Sequence, residues 1–544
     1  MRPTTRSRIG LAAVCLAAVV IGSPGLTSEA AVTLHGDMPK YLMNGVYMLD
    51  VLGDRPFHSF DEFVEYTQLY YARYPALTLG HHPPLLSAML APMFAVFGVS
   101  VVSARLLVFV TFVGAVGLLY ALVKELYGSM AALAAGLFLA TSPLVVLLGR
   151  SVLSEMPALA LVLTSAYCLQ RFTATERRSA LVGFAAAVSL GLYAKQLTVF
   201  VLPAYAVAAV ASLGVRRMLR RDVAFAAAAI AIASLPLVPM TLMLSASNVA
   251  WTLMSAQNAY RDPFGVLWKG LSAQLTVPVL LLATVGLSRA VIQRDRRSAF
   301  FIVWALSVIA GVAIAGRAEP SRYGVFAVPA LCVLAATNVT GFRARSWAAA
   351  GTAVSVLACS YQAIAAVDVS LEGAGGYEEA AQFVLASKPG PTVMFSGDID
   401  TGFFTFFVRK HDPDRQLVVL RSDKVFTTSR MDDVGYQDRI KTPDEIYLTL
   451  QELGTRYVVI EDRPSRSVVL ELFQKELRSS KFVERWRQPI ETTDRRLQGT
   501  SLVVYEYLGA GEPDPDAELS MDLPIAGRSL VVRLSDLIQR KYLR

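Results

Sequence analysis

Two short stretches of the sequence carry side chains that could do acid–base or metal chemistry. LHGDMPKYLMNGVYMLD places a carboxylate, Asp37, just beyond an apolar run, and YPALTLGHHPPLLSAML holds adjacent imidazoles at His81 and His82. A carboxylate at a membrane surface can accept a proton from an attacking hydroxyl, which contributes about 10²–10⁴-fold in typical enzymes. The histidines could instead ligate a divalent metal with Asp37 or Glu155, although two adjacent histidines rarely share one ion. The sequence indicates no certain cofactor and leaves a divalent metal open.

Two cations interrupt apolar segments further along the chain. Lys195 lies within GLYAKQLTVF, and Arg322 precedes Tyr323 in SRYGVFAVPAL. A charge at membrane depth is costly, so function is the default interpretation of such a residue. Snorkelling of the side chain to the interface is the structural alternative. Arg105 opens an apolar helix and could equally pair with an acidic residue of the first loop.

The composition identifies the elements that must position these residues. The chain has 544 residues, of which 54% are hydrophobic and 17% charged, and its mean hydropathy is +0.46. These values predict an integral membrane protein. The net charge of +8 comes from short basic clusters between apolar runs, which favours membrane topology over nucleic-acid binding as its cause. The four cysteines all lie in apolar runs and form neither a zinc cluster nor a disulfide framework.

A spanning helix needs about 20 predominantly apolar residues. About eleven segments meet this requirement: 9–25, 104–123, 130–148, 154–171, 180–196, 197–214, 222–243, 273–289, 299–315, 323–340 and 346–366. The first could be a cleaved signal peptide or an uncleaved helix, and we favour the uncleaved helix. Segment 83–99 is interpreted as an interfacial helix, because counting it as a span would move the basic loops RFTATERR, VRRMLRR, SRAVIQRDRR and FRARS to the outer face.

This topology predicts a multi-pass protein of the bacterial cytoplasmic (inner) membrane, with its candidate site facing outward. It places the following residues on one extracytoplasmic side: Asp37, His82, Glu155, Lys195 and Arg322. Residues 1–367 form the predicted transmembrane domain, with a long first outer loop at about 27–103. Residues 368–544 form the predicted extracytoplasmic α/β domain, because short apolar strands (PTVMFSG, QLVVLR, RYVVIED, SLVVYEY) alternate with the helical patterns GYEEAAQFVLAS and TPDEIYLTLQELG.

The order, spacing and common side of these motifs resemble the GT-C glycosyltransferases, specifically the family of protein O-mannosyltransferases and lipid A aminoarabinose transferases. The resemblance extends from Arg8 to about Ala366. It implies a mostly α-helical polytopic fold and transfer of a sugar, with inversion, from a dolichyl- or undecaprenyl-phosphate carrier to a hydroxyl of an extracytoplasmic acceptor. The implied partners are this lipid-linked donor, the acceptor and the lipid bilayer, with no nucleic acid.

The resemblance also implies a role for each motif. Asp37 corresponds to the family's catalytic aspartate, although Met38 replaces the glutamate that usually follows it. His82 matches a His-Pro-Pro element that ends the first outer loop, and Arg322 and Tyr323 match an Arg-Tyr pair that opens a late helix. With Lys195, these three are the implied donor-phosphate ligands, since preorganised cations and donors stabilise a leaving phosphate in a water-poor site. Glu155, in GRSVLSEMPALAL, matches a second acidic residue, and His81 and Arg105 are supporting candidates.

Two interpretations from other classes stay open. A transporter also carries charges inside the membrane, but transporters are often built from internal repeats, which the sequence lacks. A membrane anchor that displays the C-terminal domain for protein binding would leave Lys195 and Arg322 without a role. Further along the first loop, Asp50 and Asp54 are expected to be ordinary loop carboxylates whose loss has little effect.

Overall fold

The computed structural model describes residues 5–32, 36–243, 263–314, 320–340, 345–369, 371, 373–397, 402–429, 436–465, 467–523 and 528–539. The chain divides into two compact units. Unit 1 consists of Met1–Thr27, Pro83–Leu86 and Arg105–Ser370, and unit 2 consists of Ser28–His82, Ser87–Ala104 and Leu371–Arg544. Most of the first loop, which the sequence grouped with the membrane domain, therefore clusters with the C-terminal residues.

Helices dominate the chain as far as residue 370. Among the described residues, each of the eleven apolar segments lies mostly on helix. The α-helices are Thr5–Gly22, Met38–Asp54, Phe60–Arg73, Leu85–Phe97, Val101–Tyr127, Ser129–Ala140, Pro143–Arg150, Glu155–Thr175, Arg178–Ala194, Leu202–Leu213, Val215–Met218, Arg221–Ser234, Leu237–Met243, Pro263–Gln274, Val277–Ile292, Arg296–Ile314, Pro320–Tyr323, Val328–Thr340 and Arg345–Val367, with 3₁₀ turns at Gln196–Val201 and Gly324–Ala327.

Within the described ranges, the number of helices that could span a membrane by length and composition is smaller than eleven. Four qualify as single helices, and six qualify if each of two bent pairs counts as one span. The helix Glu155–Thr175 is long enough, but it begins with a carboxylate and contains Gln170 and Arg171 near its end. The protein is therefore a multi-pass membrane protein, and eleven spans stays a prediction.

The interfacial segment forms the helix Leu85–Phe97, which has 13 residues and contains Pro92. At 1.5 Å per residue it is about 20 Å long, whereas the hydrocarbon core is about 30 Å thick. A straight helix of this length is too short to cross the hydrocarbon core. Its position on the outer membrane surface stays a prediction.

The two bent pairs meet a buried polar network in unit 1. The first pair bends by 61° between Ala140 and Pro143, and the second by 105° between Gln274 and Val277. Gln362 joins the two breaks, because its Nε2 donates to the Thr141 hydroxyl at 2.9 Å and its Oε1 accepts from the Thr276 hydroxyl at 3.4 Å. Backbone breaks at membrane depth are tolerated where other groups satisfy the freed polar atoms. Gln362 Nε2 also donates to the Phe138 carbonyl at 2.6 Å, and the Ser142 hydroxyl donates to the Gln274 carbonyl.

A five-stranded sheet forms the centre of the C-terminal residues in unit 2. Its spatial order is Val418–Arg421, Thr392–Ser396, Thr455–Glu461, Ser501–Tyr507 and Phe482–Pro489. The first three strands are parallel to one another. Ser501–Tyr507 is antiparallel to both of its neighbours. The four predicted strands are confirmed. Phe482–Pro489 was not predicted, because its sequence FVERWRQP has no apolar run; it is an edge strand with one buried, three half-buried and four exposed side chains.

Helices and short ribbons surround this sheet. The α-helices are Tyr377–Ala386, Gly402–His411, Ser422–Val425, Pro443–Glu452, Val468–Glu476 and Leu534–Ile538, and the further strands are Ala31–Val32 with Gly373–Ala374, Thr427–Ser429 with Tyr436–Asp438, and Glu518–Leu523 with Arg528–Arg533. Both predicted helices are present. The second begins with a capping box in which the Thr442 hydroxyl accepts from the Glu445 backbone N–H and the Glu445 carboxylate accepts in return.

Buried ion pairs join the first loop to the C-terminal residues within unit 2. Asp50 accepts from Arg409 through both carboxylate oxygens, at 2.6 and 3.0 Å, and from the Tyr70 hydroxyl at 2.7 Å. Asp54 pairs in the same forked way with Arg415. Burial and the neighbouring Asp50 carboxylate raise the pKa of Tyr70 well above its usual value, so it remains a hydroxyl donor. The expectation that Asp50 and Asp54 are ordinary loop carboxylates is therefore wrong.

Candidate active site

Asp37 lies at the start of a helix and is buried with two polar neighbours. It immediately precedes the helix Met38–Asp54 and is 6% exposed. Lys40, one turn into this helix, donates to Asp37 Oδ1 at 3.1 Å, and His82 Nε2 lies 3.4 Å from the same oxygen. Asp37 and His82, 45 positions apart in the sequence, thus lie in one cluster in unit 2.

The same helix face holds the loop that carries the histidines. The ring of Tyr41 stacks on His82 with centroids 4.5 Å apart. Asn44, which is 3% exposed, accepts from the Thr78 backbone N–H at 3.0 Å and donates to the Thr78 carbonyl at 3.4 Å. Sequence reasoning missed Tyr41 and Asn44. The signal was their spacing, because positions i, i+4 and i+7 counted from Asp37 share one helix face.

A second cluster of charged residues lies in unit 1. Glu155 opens the helix Glu155–Thr175 and is fully buried, and Lys195 directly follows the helix Arg178–Ala194. Since these two helices are consecutive, their ends bring Lys195 Nζ to 2.5 Å from Glu155 Oε1. Arg322 Nε lies 3.8 Å from the same oxygen. The structure therefore brings together three of the predicted site residues at one end of these helices.

Tyr323 completes this cationic cluster, which we define as Glu155, Lys195, Arg322 and Tyr323. Arg322 donates to the Tyr323 hydroxyl at 3.0 Å, and Lys195 Nζ lies 5.3 Å from the centre of the Tyr323 ring. With two cations and one carboxylate, the cluster carries one excess positive charge. Glu155 Oε2 is buried and has no hydrogen-bond partner among the residues that the structure describes.

Arg105 and Arg150 have structural contacts in unit 1. Arg105 is 1% exposed and donates to the Gly25 carbonyl at 3.0 Å. Arg150 is 3% exposed and donates to the carbonyls of Gly22, at 3.3 Å, and Ile21. These carbonyls end the first helix, where cations favourably meet the helix dipole. The contact of Arg105 is to a backbone oxygen near the start of the first loop, and its supporting role in the site stays a prediction.

Comparisons with known proteins bear on the family resemblance and the fold of this chain. Residues 81–240 match the model of the family described as dolichyl-phosphate-mannose-protein mannosyltransferase. ArnT from Cupriavidus metallidurans, bound to undecaprenyl phosphate, has a TM-score of 0.55 and 14% identity, covering 93% of this chain and 98% of its own. An Archaeoglobus fulgidus oligosaccharyltransferase in complex with Zn and sulfate has a TM-score of 0.51 and 12% identity, covering 83% of this chain and 68% of its own.

A further structure of the Archaeoglobus fulgidus oligosaccharyltransferase AglB, with an inhibitory peptide and a dolichol-phosphate, has a TM-score of 0.50 and 12% identity, covering 84% of this chain and 69% of its own. A search of curated proteins found no significant match. This chain resembles the GT-C glycosyltransferases and has their fold. The predicted resemblance is confirmed, with the family match over residues 81–240 and the fold match over most of the chain.

The GT-C fold of this chain contains one candidate metal centre among its described residues. One ligand atom each from Asp37, His81 and His82 lies within 4.8 Å of the others, and two imidazoles with a carboxylate suit zinc or a similar divalent ion. The Lys40 ammonium, however, already places a positive charge 3.1 Å from Asp37 Oδ1. The two imidazoles and the carboxylate therefore fit a divalent cation, but the Lys40 ammonium already balances part of the negative charge of Asp37.

Proposed function

We propose that this GT-C protein transfers a sugar from a polyprenyl-phosphate donor to a hydroxyl of an extracytoplasmic glycan, lipid or protein acceptor, with inversion at the anomeric carbon. The observation that carries the proposal is the buried Asp37 carboxylate, which sits at the start of its helix with Lys40 and His82 on one oxygen. Such contacts fix the carboxylate in place, and only a fixed base can take a proton efficiently at the moment of attack.

Asp37 is the proposed general base. It takes the proton of the acceptor hydroxyl as that oxygen bonds to the anomeric carbon of the sugar. The bond from this carbon to the phosphate oxygen breaks, and its electron pair leaves with the lipid phosphate. A single displacement inverts the anomeric configuration, and the proton on Asp37 then passes to solvent. His82, stacked on Tyr41, holds the carboxylate oriented.

The cationic cluster is the proposed phosphate site. Preorganised cations stabilise developing charge more strongly in a water-poor site than in bulk water. Lys195 and Arg322 are 12% and 7% exposed, and both are already placed against the buried Glu155. We assign them, with the Tyr323 hydroxyl, to the leaving phosphate. Glu155 holds both cations, and its Oε2 can accept a hydrogen bond from a hydroxyl of the donor.

The proposed metal role is limited to the Asp37 cluster. If a divalent ion binds, Asp37, His81 and His82 would hold it, and it would supply positive charge at this cluster. The proton transfer from the acceptor needs only the carboxylate of Asp37.

The proposed function is tested in two stages. First, mass spectrometry compares the glycans and glycolipids of cells that have or lack the gene, and the mass of the missing sugar identifies the donor. Second, purified Asp37→Asn is assayed with that donor for release of polyprenyl phosphate. We expect a loss of at least about a hundredfold, the usual contribution of a general base.

The matched control is Asp61→Asn. Asp61 lies in the same unit, is exposed, and belongs to the first turn of the neighbouring helix Phe60–Arg73, so its neutralisation should leave turnover at the parent level. Parent turnover in a folded Asp37→Asn variant would remove Asp37 from the mechanism. No difference between cells with and without the gene, for any glycan or glycolipid, would argue against transferase activity itself.

A further inference from the structure

The helix that begins after Asp37 makes an unusually close contact with the C-terminal residues of unit 2. Gly402 opens the helix Gly402–His411. A Cβ atom added at Gly402 would lie 2.9 Å from Pro39 Cβ and 3.2 Å from Ala76 Cβ. Gly402 does not have a positive φ angle, so space, and not backbone conformation, is what requires glycine here. Pro39 is two residues from Asp37.

The same two helices also meet at a second point. Arg409, seven residues after Gly402 and on the same helix face, forms the forked ion pair with Asp50. Pro39 and Asp50 are 11 residues apart, which is about 16 Å along a helix. The helix Gly402–His411 therefore holds the helix Met38–Asp54 near its start and again near its end.

Two contacts at this separation fix both the position and the tilt of a helix. The ion pair alone would leave the helix free to pivot about Asp50, and the Gly402 contact removes that freedom at the end next to Asp37. Because His82 lies on a separate loop, 3.4 Å from Asp37 Oδ1, a small displacement of the start of the helix changes this distance.

We propose that the helix Gly402–His411 positions the catalytic carboxylate, with Gly402 and Arg409 as positioning residues. This inference rests on the proposed function of Asp37. It gives the C-terminal region, residues 371–544, a role in the reaction: it supplies the rigid surface against which the Asp37 helix is set. A displacement of about 1 Å at a reacting group can cost about 10²-fold in rate, so a shift of a few tenths of an ångström is expected to cost on the order of tenfold.

The test is Gly402→Ala, assayed with the donor found in the cell comparison. The added methyl pushes Pro39 and Ala76, and we expect kcat to fall on the order of tenfold while KM for the donor stays at the parent value. The matched control is Gly511→Ala, in the same unit, where an added Cβ meets nothing within 4 Å. Gly511→Ala should keep the parent kcat.

A second background tests whether the contact itself is responsible. Pro39→Gly removes the Cβ that Gly402→Ala would strike, so Gly402→Ala should cost much less in that background than in the parent. An equal cost in both backgrounds would overturn the proposal, as would parent kcat in folded Gly402→Ala. A general loss of folding would lower the yield of active protein without this dependence on Pro39.

Arg409→Lys covers the case in which Gly402→Ala is not recovered folded. Lysine keeps the charge opposite Asp50 but loses the forked contact, so kcat should fall several-fold with an unchanged donor KM. Parent kcat in Arg409→Lys would then overturn the proposal. The two hypotheses fail separately: an active Asp37→Asn variant refutes the proposed function, whereas an inactive Asp37→Asn with fully active Gly402→Ala refutes only the positioning role.

Discussion

Asp50→Asn tests the most unexpected contact of the structure, a buried ion pair between residues 359 positions apart. Asp50 and Arg409 are 7% and 8% exposed at their side chains. The substitution keeps the shape of the side chain but leaves the Arg409 guanidinium buried without its counter-charge. Removing one partner of a buried pair costs about 3–5 kcal/mol. Because the amide of the new asparagine still offers one oxygen to Arg409 or Tyr70, we expect a loss near the lower limit, about 3 kcal/mol.

This free energy corresponds to a clear shift in melting temperature. At about 2–4 °C per kcal/mol for a unit of 150–250 residues, the expected drop in Tm is about 6–12 °C. The assay is thermal denaturation of the detergent-solubilised full chain, followed by tryptophan fluorescence and by loss of the monodisperse peak in size-exclusion chromatography. Asp61→Asn, an exposed carboxylate of the same unit, should melt with the parent.

A double variant separates charge burial from general disruption. Asp50→Leu with Arg409→Met replaces both charges by apolar side chains, and such replacements of buried pairs are often neutral or stabilising. It should melt well above Asp50→Asn. A Tm of Asp50→Asn within about 1 °C of the parent would correspond to a change of less than about 1 kcal/mol in the free energy of unfolding. In that case the ion pair contributes nothing measurable to stability and the reasoning is refuted.

Four further outcomes are expected. Arg322→Ala should weaken donor turnover at least about tenfold through lost charge stabilisation, whereas Arg217→Ala, at an exposed site, should not; equal turnover would remove Arg322 from the phosphate site. Burial and the nearby guanidinium of Arg421 lower the pKa of Lys424 from 10.5 to about 8, so stability from this group should rise as the pH increases from about 8 to 10.5. In Lys424→Met that rise should vanish, and an unchanged slope in Tm against pH would contradict it. Chelation with EDTA should leave turnover intact, because Lys40 already places a positive charge beside the base; loss of activity restored by zinc would assign a metal to the site. In a cysteine-free background, a cysteine at Ser59 should react with an impermeant thiol reagent in intact cells and one at Arg217 should not; the reverse would invert the proposed topology.

Much of this protein follows from short-range patterns in its sequence. The apolar segments predicted helices, and all eleven lie mostly on helix among the described residues, because the burial of backbone polar groups at membrane depth requires helical hydrogen bonding. Four C-terminal strands were predicted from apolar runs bounded by turn residues. The edge strand Phe482–Pro489 was not predicted, since a strand with a single buried side chain has no apolar run in its sequence. The types of the site residues also came from sequence, because a cation such as Lys195 is rare in an apolar segment unless it has a role.

The partners of those residues were decided only by the tertiary structure. The sequence placed Glu155 and Lys195 on one side, but their 2.5 Å contact depends on how two consecutive helices pack. Asn44 was not singled out from the sequence, and Asp50 was expected to be an ordinary loop carboxylate; chain folding brings Thr78 and Arg409 against them. Hydropathy and periodicity report which face of an element is buried. They do not report which distant residue completes a buried charge, because that pairing is set by the path of the chain between the two positions.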